Sequence, residues 1–239
     1  VPLTTSPRFQ KEAAEIALQM SQFSVDELER LLRVNAKIAV ENYKRYQAFH
    51  AEATPELPAL LAYTGIVFKR LNPKDFSAED FGYAQEHLRL TSFCYGLLRP
   101  LDVIRAYRLE GDVVLPELGN QTLFFYWRSR LTDTFIEDIR SAGGILCNLA
   151  SDEMKSLFDW KRVESEVRVV TPEFHVWKNG KLATIVVYTK MSRGEMTRFI
   201  LKNKIGNPEE LKGFSWEGFE FDESLSDERK LVFINGMGE

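Results

Sequence analysis

The sequence lacks several features that would assign it to a familiar class of protein. It has only two cysteines in 239 residues, too few for a disulfide framework. No apolar run approaches the roughly 20 residues of a membrane-spanning helix, and no signal peptide is visible. Because Cys94 and Cys147 lie inside apolar runs, we expect buried thiols in a reducing cytoplasm, with a redox-sensing pair as the alternative.

The short motifs that name a reaction are also missing. We find no glycine-rich phosphate loop, nucleophile elbow, dinucleotide fingerprint or metal-ligand spacing, so we predict neither a metal nor a cofactor. A net charge of −4 argues against a protein that is basic overall. The hydrophobic share of 44%, with 17 phenylalanines, excludes a disordered chain.

Charged residues are distributed unevenly along the chain. Residues 190–204 hold five basic residues and one acid, whereas residues 209–239 hold nine acidic residues and three basic ones. Such asymmetry can produce a positively charged patch on part of the surface, even when the net charge of the protein is negative.

The hydrophobic pattern predicts helices and strands in alternation, and therefore an α/β (α+β) fold in a single domain over residues 1–239. The Asn179-Gly180 dipeptide between alternating apolar residues predicts a β-hairpin. We expect helices over 8–20, 25–34, 37–49 and 120–142 and from Ser77 onward, a strand buried on both faces over 145–149, hairpin strands over 166–178 and 181–189, and closing strands over 216–221 and 229–234.

Three arginines surround a break in the central stretch of the chain, SFCYGLLRPLDVIRAYRLE, residues 92–110. Pro100 ends the apolar run and biases the preceding residue toward an extended conformation. Arg99, Arg105 and Arg108 are suited to hold an anion through forked donors. The alternative is an ion-pair network with Asp102 or Glu110 that ties a loop to the core.

The pattern of residues 25–49 predicts two short helices joined by a tight turn, with a capping box at the start of the first helix. Such a pair can be a helix-hairpin-helix clamp, in which backbone N–H groups hold a DNA phosphate. Asn35, Lys37 and Lys44 are then the candidate contacts. Because the turn has no glycine, an ordinary helix pair with a solvated basic face is the alternative.

Two further segments place polar residues where an α/β sheet binds ligands, at strand ends. After the strand 145–149 come Asp152, Glu153 and Lys155, although N-capping also explains Asp152. The segment TIVVYTK, residues 184–190, is predicted to be a strand that leads into a helix. Lys190, Arg193 and Arg198 would then cluster near the N-terminus of that helix, or else cover a sheet edge or pair with the acidic tail.

Four ordered blocks carry a resemblance to a known family. They are HLRLTSFCYGLLRPLDVIRAYRLE (87–110), NLASDEMKSLF (148–158), YTKMSRGEMTRFIL (188–201) and GFSWEGFEFDESLS (213–226). Together they closely resemble the YaaA family of bacterial peroxide-stress proteins over essentially the whole chain. The resemblance implies a compact cytoplasmic α/β protein with a mixed sheet inside helices, a positively charged cleft, DNA binding and a helix-hairpin-helix element over 25–49. Family members open with a short strand and a Ser-Pro-Ala-Lys-like turn, so we expect a segment to be missing before Val1.

We therefore expect a DNA-binding protein of the peroxide stress response that limits damage from peroxide and iron. Its partner is DNA, recognised by backbone or structure, and no membrane is involved. The predicted cleft is lined by Arg99, Arg105, Arg108, Lys155, Lys190, Arg193 and Arg198, and the candidates for base stacking are Tyr107, Trp127 and Tyr188.

Two other functions stay open at this point. The first is an enzyme acting on a nucleotide or a damaged base in the same cleft, with Asp152 and Glu153 as candidate catalytic residues. The second is iron handling. Because His50, His87 and His175 lie far apart without ligand spacing, we expect any effect on iron to be indirect.

Overall fold

The computed structural model of the chain describes residues 3–236, and the segment expected before Val1 lies outside them. In chain order the elements are α1 (Gln10–Met20), α2 (Val25–Leu32), α3 (Ala36–Ala48), β1 (Leu57–Pro58), α4 (Ala59–Ala62), α5 (Ile66–Leu71), α6 (Ala78–His87), β2 (Leu90–Ser92), β3 (Gly96–Leu98), β4 (Val103–Ile104), β5 (Val114–Leu115), β6 (Gln121–Thr122), α7 (Leu123–Ser141), β7 (Ile145–Cys147), α8 (Trp160–Glu166), β8 (Arg168–Lys178), β9 (Lys181–Ala183), α9 (Val186–Asn203), β10 (Phe219–Phe221) and β11 (Lys230–Asn235). Short 3₁₀ helices cover Pro73–Asp75, Pro116–Leu118, Asp152–Leu157, Pro208–Gly213 and Glu223–Leu225.

These residues form two compact units, and α7 contributes to both. The first unit comprises residues 3–62, 88–135 and 152–160. It holds α1 to α4 and three small antiparallel pairs, β1 with β4, β2 with β3, and β5 with β6. Its core includes the fully buried Trp127, whose indole N–H donates to the Phe93 carbonyl at 2.8 Å. Gly96 is required beside that ring, because a Cβ there would lie 2.7 Å from Trp127.

The second unit comprises residues 63–87, 136–151 and 161–236 and contains a five-stranded mixed sheet. β8 lies in the middle, parallel to β11 on one side and to β7 on the other, while β9 and β10 add antiparallel pairs. Alternate residues of β8 face inward, with Val170, Phe174 and Val176 buried in the hydrophobic core of this unit. The outer residues of β8 are half-buried or exposed, as expected for a strand whose second face is solvated.

Pro172 explains why one edge of β8 is only partly paired. It has no N–H, and β7 pairs with β8 only as far as Val170, so the proline occupies a position without a ladder partner on that side. β9 joins the same edge further along, where Ala183 pairs with Val176. A gap in the pairing of β8 therefore separates β7 from β9.

Helix α9 packs closely against α5 because Gly194 removes a side chain from their contact. A Cβ at this position would overlap the Val67 carbonyl oxygen and lie 2.8 Å from Cβ of Arg70. The same helix places Met196 in the core of the sheet. The conformation of residues 186–203 is thus stabilised by tertiary packing on two sides.

The predicted α/β fold with a mixed sheet is confirmed. The capping box at Ser24, the helix after Ser77 and the Asn179-Gly180 hairpin are also confirmed. The extent of one domain over residues 1–239 stays a prediction.

Two local predictions were wrong. The strand over 145–149 ends at Cys147 and is half-buried rather than buried on both faces. Residues 186–190, predicted as the end of a strand, form the first turns of α9. Ile185, Val186 and Val187 suggest a strand by β-propensity, but the packing of α9 overrides that preference.

No helix within residues 3–236 has both the length and the apolar character needed to cross a membrane. Over the same residues, no group of three or more His, Cys, Asp and Glu side chains is arranged to hold a metal ion. Cys94 and Cys147 are free thiols. Burial raises the pKa of both well above that of an exposed cysteine, to about 12 for Cys147.

Candidate nucleic-acid interface

The turn between helices α2 and α3 contains no glycine. Ser24 caps α2 by accepting from the Glu27 N–H at 3.2 Å, and the Glu27 carboxylate accepts from the Ser24 N–H. Arg33 ends α2 in the left-handed conformation, with φ of 52°. Asn35 begins α3, and its side-chain oxygen accepts from the Ile38 N–H at 2.9 Å. An arginine therefore takes the positive φ that glycine usually takes in a tight turn.

The polar residues predicted for a phosphate clamp lie on the outside of this pair. Asn35, Lys37 and Lys44 are exposed, and within residues 3–236 neither lysine forms an ion pair. Lys37 and Lys44 are separated by seven residues, so they lie on one face of α3. The side chain of Asn35 is already engaged as a cap. Whether this helix pair binds phosphate stays a prediction.

Five charged residues from three distant segments form a cluster beside this turn, which we call the hairpin charge cluster: Arg33, Arg108, Glu110, Asp112 and Glu153. The guanidinium of Arg33 donates to the Asp112 carboxylate at 2.7 Å. Burial raises the pKa of Glu110, while Arg33 and Arg108 act to lower it. Glu153 lies close enough to interact electrostatically with both Arg33 and Glu110.

The cluster contains three of the residues singled out in the sequence, Arg108, Glu110 and Glu153. Arg108 is exposed, and its backbone carbonyl accepts from the Tyr46 hydroxyl of α3. Among the described residues its side chain forms no ion pair within 4 Å. Arg33 was missed, because no sequence pattern signals that an arginine will occupy a left-handed turn position.

Arg99 and Arg105 are held by carboxylates and carbonyl oxygens of the first unit. The Arg99 guanidinium donates to Asp102 at 2.9 Å and to the Ser6 carbonyl at 3.0 Å. The side chain of Asp102 is 0% exposed and also accepts from the Thr5 hydroxyl at 2.6 Å. Arg105 donates to Glu56 at 3.1 Å and to the Phe49 carbonyl. These contacts form a structural ion-pair network. A role of Arg99 and Arg105 in anion binding stays a prediction, and this geometry does not favour it.

The 3₁₀ helix at Asp152–Leu157 carries the candidate acids and one candidate cation. Lys155 lies 3.1 Å from the Asp152 carboxylate, with its ammonium 5.7 Å from the centre of the Trp160 ring. The Asp152 side chain is 93% exposed, and Glu153 is also exposed. A catalytic role for these two acids stays a prediction.

The three aromatic residues proposed for base stacking differ in accessibility. Trp127 was wrongly assigned, because its ring is fully buried in the core and cannot meet a base. Tyr107 is half-buried, with its hydroxyl 2.5 Å from Ser92 Oγ. Tyr188 lies in the first turn of α9 and is 36% exposed.

In the second unit, the predicted cluster of cations at a helix N-terminus is wrong. Because α9 begins at Val186, Arg193 and Arg198 lie in the body of the helix, beyond the reach of its N-terminal dipole. Arg198 donates to both oxygens of Asp75, at 2.9 and 2.7 Å. Arg193 is half-buried, whereas Lys190 is exposed and forms no ion pair in the part of the chain described.

Comparison with known proteins identifies the family. A family model described as peroxide stress protein YaaA matches residues 1–225. The chain is 99% identical over 239 residues to a UPF0246 protein of Bacteroides thetaiotaomicron, covering all of the chain and 93% of that relative. It is 78% identical over 238 residues to one of Bacteroides fragilis, with coverage of 100% and 93%. It is 37% identical over 235 residues to one of Crocosphaera subtropica, with coverage of 98% and 92%. The chain therefore belongs to the YaaA family of peroxide stress proteins.

Proposed function

We propose that this protein acts in the peroxide stress response of the cytoplasm by binding the DNA backbone through the α2–α3 pair. The observation that carries the proposal is that Lys37 and Lys44 are exposed on one face of α3 and form no ion pair within residues 3–236. Arg108 also forms no ion pair within 4 Å in that part of the chain; its backbone carbonyl contacts α3 through Tyr46, and its guanidinium acts on Glu110 in the hairpin charge cluster. The two free thiols suit a reducing compartment.

Cations of this kind bind phosphate by displacing condensed counterions, so affinity falls as salt rises. A cation that already has a carboxylate partner gains less from a phosphate, because it must first give up that partner. By this criterion Lys37, Lys44 and Arg108 contribute to affinity, whereas Arg99 and Arg105 act mainly in the fold. No base-reading group is implied, so we expect little sequence preference.

The test is a titration of labelled duplex DNA by fluorescence anisotropy at several salt concentrations. Each lost phosphate contact removes about 0.9 from the slope of log K against log salt, so the triple variant Lys37→Ala/Lys44→Ala/Arg108→Ala should flatten the slope by about 2.7. A matched control, Arg168→Ala/Lys178→Ala/Lys181→Ala, removes the same charge from exposed positions of the second unit. Equal loss in both variants, or none in the first, contradicts the proposal.

A second function, acid–base chemistry on a nucleotide or a damaged base, is favoured by Glu110. Its raised pKa means that this carboxyl holds a proton at higher pH than an ordinary glutamate. A carboxyl of that kind near guanidiniums and a second acid, Glu153, suits glycosidic or phosphoryl transfer.

We would incubate the protein with oligonucleotides that carry an oxidised or deaminated base and measure release of the base. If the protein is an enzyme, Glu110→Gln, Glu153→Gln or Asp152→Asn abolishes turnover while DNA binding is retained. Absence of release from each oligonucleotide by the unaltered protein leaves DNA binding as the proposed function.

A further inference from the structure

Three polar side chains meet on the outer face of the β8–β9 hairpin in the second unit. Glu173 and His175 are two residues apart on β8, so both point away from the core that Phe174 and Val176 enter. The pairing of Val176 with Ala183 continues by one step to place Thr184 opposite His175. The register of the hairpin thus aligns a hydroxyl, an imidazole and a carboxylate.

The three groups are joined by hydrogen bonds. His175 Nε2 lies 3.0 Å from Glu173 Oε2, and His175 Nδ1 lies 3.0 Å from Thr184 Oγ1. An ionised carboxylate only accepts, so Glu173 fixes the proton of a neutral imidazole on Nε2. Nδ1 is then left with its lone pair toward Thr184, whose hydroxyl donates to it. Nucleophile, base and orienting acid stand in the order that nucleophilic catalysis requires.

The start of α9 follows Thr184 closely in sequence. Thr184 lies two residues before the first helical residue, Val186, and no side chain caps the helix at Ile185. The first N–H groups of the helix, including those of Val186 and Val187, have no acceptor within the helix. Backbone N–H groups at a helix start can stabilise the oxyanion that forms when a hydroxyl attacks a carbonyl.

An apolar surface continues from the polar triad along the same face of the hairpin. Trp177 follows His175 by two residues, and its cross-strand partner is Leu182. They are 38% and 39% exposed, respectively. An exposed aromatic and an exposed aliphatic side chain side by side offer contact to an apolar acyl group.

We propose that Glu173, His175 and Thr184 form an esterase site for carboxylic esters with a small apolar acyl group. Thr184 Oγ1 attacks the carbonyl carbon, and its proton passes to His175 Nδ1. The bond from the carbonyl carbon to the leaving oxygen breaks, and the imidazolium returns the proton to the departing alcohol. Water, activated by the same imidazole, then attacks the acyl-threonine, releasing the carboxylic acid and restoring the Thr184 hydroxyl.

The test uses the full chain with p-nitrophenyl butyrate, followed by release of p-nitrophenol. General-base catalysis contributes about 100-fold or more, so Thr184→Ala and His175→Ala should each slow hydrolysis by about that factor. Thr184→Ser keeps the nucleophile and should retain activity, whereas Glu173→Gln should slow hydrolysis because the tautomer is no longer fixed. Thr171→Ala, on the same outer face of β8, is the matched control and should match the unaltered protein.

Mass spectrometry of the protein quenched during turnover should locate the butyryl group on Thr184. Hydrolysis no faster than in buffer, equal activity in Thr184→Ala, or a butyryl group found only on lysines overturns the proposal. DNA affinity measured on the same variants should be unchanged, because these residues lie outside the proposed DNA-binding set. Failure of the esterase proposal is therefore distinct from failure of DNA binding.

Discussion

Removal of one buried carboxylate, Asp80, should destabilise the second unit measurably. Its side chain is 8% exposed and accepts from Lys202 Nζ at 2.8 Å and from Lys204 Nζ at 3.2 Å. It also accepts from the Ser77 N–H at 3.0 Å, while Ser77 Oγ accepts from the Asp80 N–H. Asp80 thus caps α6 and anchors two lysines at the end of α9.

The expected magnitude follows from these contacts. A buried charge-assisted hydrogen bond contributes about 1.5–3 kcal/mol, and an exposed ion pair about 0–1 kcal/mol. Each lysine side chain is 32% exposed, so the contribution of the two ion pairs to stability lies closer to that of an exposed ion pair. Because asparagine retains one oxygen as an acceptor, we expect Asp80→Asn to lower the free energy of unfolding by about 2 kcal/mol.

The loss should depend on pH with a defined sign. Hydrogen bonds from Lys202 and then from the Ser77 backbone lower the pKa of Asp80 far below its ordinary range, and Arg198 likewise lowers the pKa of Asp75. A folded-state pKa below the unfolded one stabilises the folded state fully above the unfolded pKa of about 3.9. This stabilisation is lost as the pH falls from there toward the folded values. Asp80→Asn should therefore flatten the acid limb of the stability curve.

The assay is urea unfolding at pH 7 and at several values below pH 4, followed by tryptophan fluorescence. Asp26→Asn is the control, because Asp26 lies exposed in the first turn of α2. An unfolding free energy for Asp80→Asn equal to that of the unaltered protein at pH 7, with the same decline in acid, would refute the reasoning.

Two further predictions concern packing and the thiols. Gly194→Ala should destabilise by about 1–3 kcal/mol in urea unfolding, because its Cβ overlaps the Val67 carbonyl oxygen; Gly82→Ala, with no heavy atom within 4 Å of the added Cβ, should be neutral or stabilising. Burial raises the pKa of both thiols, so the buried Cys94 should react with Ellman's reagent only as the chain unfolds, and the half-buried Cys147 should react more slowly than an exposed thiol. Rapid labelling of the folded protein at neutral pH would contradict that expectation.

Local signals in the sequence predicted the elements whose ends are determined by neighbouring residues. Ser24 and Glu27 stand three apart and form the capping box that begins α2. Asn179-Gly180 forms the turn between β8 and β9, with both residues at positive φ. These features could be predicted because the interacting groups lie within a few residues of each other.

The start of α9 could not be predicted in that way. Residues 184–190 have the β-branched and aromatic composition of a strand, yet β9 ends at Ala183 and the helix begins at Val186. Gly194 and Met196 pack later turns of the helix against α5 and the sheet. Propensity over seven residues is a weak prior against packing that involves segments far away in sequence.

The ion-pair partners of the arginines could likewise not be predicted from the sequence. Asp75 is 123 residues from Arg198, and Glu56 is 49 residues from Arg105. Residue type shows that an arginine needs an anion, but only the fold shows whether that anion belongs to the protein. Residue type alone therefore gave a longer set of candidate anion-binding cations than the fold supports.

The distinction between partnered and unpartnered cations decides how the charge of this protein can act on DNA. With a net charge of −4, the molecule as a whole does not attract a polyanion. Attraction must then come from exposed cations that form no ion pair with a carboxylate. Lys37, Lys44 and Arg108 are such cations in the first unit, and Lys190 is one in the second. Because counterion release counts only the phosphates newly neutralised, the slope of the salt dependence measures the cations that contact DNA rather than the total of 31 lysines and arginines.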